Sequence, residues 1–105
     1  MIETLYELTQ SDQRLTERLI DESHLHYIHL VFPPGEGLPE HRANAHLLMT
    51  VLRGVVTLQL GDQPDHTYGP GSLLSIPYRT LMNVNNKGNE TLELINIKLF
   101  STDSD

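Results

Sequence analysis

The chain never sustains a helical hydrophobic period. Its apolar residues come in short runs, each closed by glycine, proline, asparagine or aspartate. Runs of that kind, rich in β-branched and aromatic residues, are strands separated by turns. The feature therefore points to an all-β sandwich or barrel. "HLHYIHLVF" (24–32) is a strand, and "HLLMTVL" (46–52), almost wholly apolar, reads as a strand covered on both faces. "VVTLQL" (55–60) alternates cleanly, and "SLLSIP" (72–77), "TLMNVN" (80–85) and "TLELINIKLF" (91–100) follow. "TLYELT" (4–9) alternates as well. "RLTERLID" (14–21) has two readings: a strand with Leu15 and Leu19 on one side and Arg14, Thr16 and Arg18 on the other, or one or two helical turns.

The punctuation is equally specific. "PPGEGLPEH" (33–41) reads as an irregular connection, because proline removes ladder donors and glycine relaxes φ. Gly54 allows a sharp bend or bulge, "GDQPD" (61–65) a hairpin, "GPG" (69–71) a break and "NNKGNE" (85–90) a turn. The sum is about eight strands and no stable helix.

A chain of 105 residues makes one domain. Residues 1–22 form an N-terminal arm or edge strands, 24–100 the barrel, and 101–105 a frayed acidic tail. A core of this size leaves much apolar surface at its boundary, so self-association would help it. The net charge of −7, with basic residues scattered, argues against a nucleic-acid partner. Cysteine is absent, which removes disulfides, iron–sulfur clusters, thiolate zinc sites and cysteine nucleophiles together. The start, "MIETLYELTQSDQ", lacks the basic and apolar regions of a signal peptide. No apolar run approaches the ~18 residues that span a bilayer. The expectation is a cytoplasmic protein with no membrane or nucleic-acid partner.

The stretch from about 28 to 99 resembles a small single-domain cupin, a jelly-roll β-barrel also called a double-stranded β-helix. "GLPEHRANAHLLMTVLRG" ends in "VLRG", similar to the closure of the first cupin block, G-x5-H-x-H-x3,4-E-x6-G. "YGPGSLLSIPYRTLMNVNN" carries the rhythm of the second, G-x5-P-x-G-x2-H-x3-N. Aligned on Gly54, the resemblance places His41 at the first histidine, Ala43 at the second and Leu47 at the glutamate. Aligned on Pro77, it places Arg79 at the glycine, Met82 at the histidine and Asn86 at the asparagine. It thus implies one survivor of four usual metal ligands. A divalent metal wants about three or four converging nitrogen or oxygen donors, and a thioether is a poor substitute. The expectation is therefore no cofactor; a divalent transition metal on His41 and His46 is the alternative. Strand parity turns His46 away from the interior.

The resemblance also implies a ligand pocket lined by His41, Leu47, Met49, Met82, Val84 and Asn86. His41 is either the polar anchor of a small molecule there or a core histidine bonded to a backbone carbonyl. No inward Asp, Glu or Lys is evident beside it, so no catalytic residue is assigned. His24 and His26 share a face, as a chelating pair or as a solvated or subunit-facing one. His29 lies on the opposite face as a satisfied histidine, and His66 sits in a polar loop. Ser72 and Ser75 show no partners for a hydrolase triad. Three functions follow: a non-catalytic small-molecule binder, a metal-dependent isomerase or dioxygenase built on His41 and off-motif histidines, or a structural dimer with a self-filled pocket. Small cupins commonly dimerise, which makes a homodimer with a packed or exchanged N-terminal arm the expected assembly.

Overall fold

The computed structural model describes residues 1–101 as nine strands and no helix. Of the acidic tail expected at 101–105, only Ser101 falls among the described residues. The strands are β1 (Leu15–Asp21), β2 (Leu25–Phe32), β3 (Gly37–Arg42), β4 (His46–Arg53), β5 (Val56–Leu60), β6 (His66–Tyr68), β7 (Leu73–Ile76), β8 (Leu81–Asn85) and β9 (Leu92–Leu99). They form two antiparallel sheets, one of order β1-β2-β9-β4-β7 and one of order β3-β8-β5-β6.

The inner faces of the two sheets meet in one apolar core. Phe32, Met49, Val51, Val56, Leu58, Val84, Leu92 and Leu94 are buried there, each from a position that alternation points inward. β4 is covered unequally: Leu47, Met49 and Val51 are buried, while Leu48 and Thr50 on the other face are half-covered and His46 is exposed. The strand expected to be buried on both faces is thus sealed on one.

Three local expectations change. "TLYELT" forms no strand, since every residue from 1 to 10 is exposed and no sheet edge pairs with it. Alternation without a neighbouring strand does not make a sheet. The segment 33–41 is irregular only to Glu36, and β3 begins at Gly37. β3 tolerates Pro39 because it is an edge strand whose pairing with β8 slips between Leu38 and His41. Gly37 is required there, because a Cβ would meet the Val84 carbonyl oxygen. His66, expected in a loop, starts the short edge strand β6 and is exposed. Of the two readings for 14–21, the strand holds, with a bulge between Arg18 and Ile20.

Gly54 makes the expected sharp bend at φ 76°, next to a bulge in the β4–β9 pairing. A Cβ on it would strike the backbone of Thr91. Arg79, at the position where the second block has glycine, keeps a left-handed φ of 74°. Hydrogen bonds from the Arg79 amide to the Ala43 carbonyl (2.8 Å) and from the Ala43 amide to the Thr80 carbonyl (2.9 Å) hold that turn against the β3–β4 loop. No helix of the described residues is long and apolar enough to cross a membrane.

A cavity between the sheets with an unpaired cationic wall

At one end of the barrel the sheets diverge around a cavity of about 500 Å³. Its walls are mostly hydrocarbon and thioether: Ile28 and Leu30 from β2, Leu47 from β4, Met82 and Val84 from β8, with Ala43 and Ala45 from the β3–β4 loop. Polar atoms enter from His41 on β3, Asn44 in the loop, Thr16 and Arg18 on β1, and Asn96 and Lys98 on β9.

Sheet register explains the cationic wall. Residues opposed across antiparallel strands share a face. Arg18 opposes Ile28, which opposes Asn96, which opposes Met49. The next row runs Asp21, His26, Lys98, Leu47 and Ile76. Arg18, Asn96 and Lys98 are therefore fixed on the face that carries Leu47 and Met49 inward.

Their electrostatic situation is unusual. Lys98 makes no hydrogen bond or ion pair among the described residues. Burial in the wall pulls its ammonium below the ordinary lysine range, and the Arg18 charge lowers it further. Arg18 has one partner, Asp21 Oδ2 at 3.2 Å, and both side chains are exposed. Asn96 is 6% exposed, and its enclosed Oδ1 has no hydrogen-bond partner. Buried polar groups are nearly always satisfied. In this wall Asn96 Oδ1 is the exception, beside the partly buried and unpaired Lys98.

Of the six residues expected around a pocket, His41, Leu47, Met82 and Val84 line the cavity. Met49 is wholly buried in the core beneath it. Asn86 stands elsewhere: its Nδ2 donates to the Phe32 and Glu90 carbonyls at 2.9 and 2.8 Å, and its Oδ1 accepts from the Gly88 amide at 3.0 Å. It ties the β8–β9 turn to the end of β2 and reaches no ligand. His41 is exposed, and its Nδ1–H donates to the Pro39 carbonyl at 2.9 Å. That bond leaves Nε2 as an acceptor. The expected carbonyl bond is present, but on a histidine at the exposed rim of the cavity and not in the core.

Lys98, Arg18 and Asn96 escaped the sequence reading, which found no inward lysine. Alternation along β9 carried the signal: Leu92 and Leu94 are core residues, and Asn96 and Lys98 continue their face. On β1 the assumption that polar means outward hid the same fact, because Thr16 and Arg18 point into the cavity.

The four positions that the cupin blocks reserve for metal ligands, occupied here by His41, Ala43, Leu47 and Met82, all line this cavity. One imidazole, two aliphatic side chains and a thioether do not fit a divalent ion. Among the described residues, no three His, Cys, Asp or Glu side chains are grouped to hold a metal. The other histidines lie outside the cavity lining, and His26 Nδ1 and the exposed His66 ring have no hydrogen-bond partner among the described residues. His46 Nε2 bonds the Ser75 hydroxyl at 2.7 Å on the outer face. His26 Nε2 meets Asp21 at 2.9 Å and its ring lies edge-on to Phe100, while His24 is exposed beside Glu22. His29, fully buried, spans Glu17 at 2.8 Å and Glu93 at 2.6 Å.

Known proteins agree with this architecture. The chain is 31% identical over 99 residues to an uncharacterized protein of Methanocaldococcus jannaschii, covering 93% of this chain and 85% of the relative. An RmlC-like cupin family crystal structure with a double-stranded β-helix fold, from the same organism, superposes with a TM-score of 0.89 at 31% identity. That match covers 94% of this chain and 92% of the other. A cupin superfamily protein of Desulfitobacterium hafniense shares the fold at TM-score 0.78 and 19% identity, over 90% and 84% of the two chains. The model of the cupin domain matches residues 28–98, and this chain belongs to the cupin family.

Proposed function

We propose that this cupin is a non-catalytic small-molecule binder whose metal site has been replaced by an apolar pocket. The observation that carries the reading is the cavity of about 500 Å³, open at positions whose side chains are now Ala43, Leu47 and Met82. Ligand pockets are concave and mostly apolar, with a few placed polar groups. Here hydrocarbon from Ile28, Leu30, Leu47 and Val84 would hold a ligand's body, and His41 Nε2 would accept a hydrogen bond at the rim. A functional homodimer belongs to the same proposal. Ile2, Leu5 and Tyr6 of the arm are 104, 68 and 51% exposed, and Leu73 on the edge strand β7 is 64% exposed. A second copy would cover such surface.

The test is a thermal-shift screen of the purified protein against small organic ligands, with metal analysis of the same sample. A ligand that raises the midpoint in native protein, and less in Leu47→Glu, supports the reading. Near-stoichiometric transition metal that His41→Ala abolishes would overturn it in favour of a metal-dependent enzyme. A collapsed cavity that no ligand stabilises would leave only a structural role. Light scattering gives the assembly: a dimer is expected, and a monomer at tens of micromolar ends that part of the proposal.

A further inference from the structure

The cavity's polar groups specify more than a generic ligand. The protein carries a net charge of −7, yet the charged side chains lining this cavity are a lysine and an arginine. Lys98 is partly buried and Arg18 is exposed, so the cost of each charge is moderate, yet two cations facing one space favour an anion between them. Lys98 has no anionic partner among the described residues, and Arg18 has one, the exposed Asp21. Beside them, Asn96 is nine-tenths buried with no hydrogen-bond partner for its Oδ1. Its amide makes no side-chain hydrogen bond, so a turn about its terminal torsion presents either N–H or C=O to an incoming group. The three side chains descend from adjacent rows of one sheet face, which fixes where their backbones stand relative to one another.

Resting on the binder reading, we propose that the pocket's ligand is a small carboxylic acid with an apolar body. Its carboxylate is held by the Lys98 ammonium with help from Arg18 and the Asn96 amide, and its body packs on Leu47, Met82 and Val84. Ammonium–carboxylate hydrogen bonds are among the stronger polar contacts, and they gain where water is excluded. The acid supplies a countercharge for Lys98, and its carboxylate accepts from the Asn96 N–H, the one Asn96 group an acceptor-only ligand can engage. An uncharged ligand of the same shape would leave Lys98 without a countercharge.

The composition makes a clean test possible, because the chain has two lysines, Lys87 and Lys98. Lys87 is exposed and paired with Asp65, which makes it an internal control. 3-Phenylpropionate and its methyl ester serve as the charged and uncharged probes, titrated by calorimetry and by carbon NMR of lysine-labelled protein. The acid is expected to bind about tenfold more tightly than the ester, as a charge-assisted contact requires. The Lys98 side-chain resonances should move with the acid while those of Lys87 stay. Lys98→Met should bring acid and ester to similar affinity and leave ester binding intact. Equal affinities in the native protein, or an acid preference that survives Lys98→Met, would overturn the charged site while the binder reading stands. If neither probe binds native protein at millimolar concentration, and no other organic ligand in the screen does, the binder reading falls and takes this inference with it.

Discussion

The two faces of the β1-β2-β9-β4 layer use polar residues in opposite ways. On the outer face, His29 is fully enclosed, yet each ring nitrogen meets a carboxylate. Glu17 continues the chain of contacts to the Thr9 amide and hydroxyl, both at 2.8 Å. Glu93 continues it to Arg53, whose guanidinium reaches Asp12 and the Ser11 carbonyl. Every member has a partner, and the partners belong to the segment that precedes β1. On the inner face, one residue away along the same strands, Arg18, Asn96 and Lys98 stand around a cavity with their pairing incomplete. The outer network anchors the arm. In the inner group Arg18 is paired with Asp21, whereas Lys98 and Asn96 Oδ1 have no partner among the described residues. Satisfaction, and not polarity or burial, separates a structural cluster from a binding one.

The sharpest way to break this comparison is to empty the outer network. Carboxylates only accept hydrogen bonds, so the imidazole between Glu17 and Glu93 is what joins them. His29→Leu keeps the volume and leaves two half-buried carboxylates facing each other across hydrocarbon. Removing one partner of a buried charge cluster costs about 3 kcal/mol or more. The expected result is a large drop in the denaturant midpoint at unchanged slope. His29→Gln, which retains a donor, should recover part of it. A variant as stable as the native protein would mean that the outer cluster anchors nothing.

A smaller effect concerns pH. Hydrogen bonds from the Thr9 amide, then from His29 and the Thr9 hydroxyl, hold the Glu17 carboxyl below its ordinary value of 4.5. A carboxyl depressed by folding binds fewer protons in the native state. Its contribution is therefore complete above 4.5 and is lost as pH falls through the depressed native value. Acid should release the arm before the barrel unfolds, seen as earlier protease cleavage within residues 1–14. Thr9→Val, which deletes one of the three bonds, should move that release to higher pH. Arm cleavage that does not depend on pH would detach Glu17 from the latch.

How much of this was legible follows the same division. Strand runs and turn residues specified the all-β fold, and the two motif blocks placed His41, Leu47, Met82 and Val84 on one cavity. Those assignments depend on period-two alternation and on glycine at Gly54, both local properties. Lys98 and Arg18 were out of reach for a different reason. Strand alternation gives two faces without saying which is inner, and hydrophobicity usually decides. The cavity inverts that rule by having polar residues in its wall, so β1 reads backwards. Pro39 misled similarly, because only the tertiary fact that β3 is an edge strand permits it.

The finest test sets the inner face against the outer through the sign of a stability change. A satisfied buried group costs stability when removed, whereas an unsatisfied one replaced by an apolar group of similar shape returns some. Asn96→Leu is therefore expected to raise the unfolding free energy by about 0.5–1 kcal/mol in the absence of ligand, read as a higher denaturant midpoint. Lys98→Met should shift it in the same direction. Lys98 has a native value depressed below 10.5, so between the two values the unfolded chain binds the extra proton and stability rises with pH. Lys98→Met should abolish that alkaline rise. Both variants would then be more stable and weaker at binding acids, the exchange expected where a site holds groups in reserve for a ligand. Should both instead lower the midpoint at neutral pH, Asn96 and Lys98 are already satisfied in the free protein, and the two faces do not differ in kind.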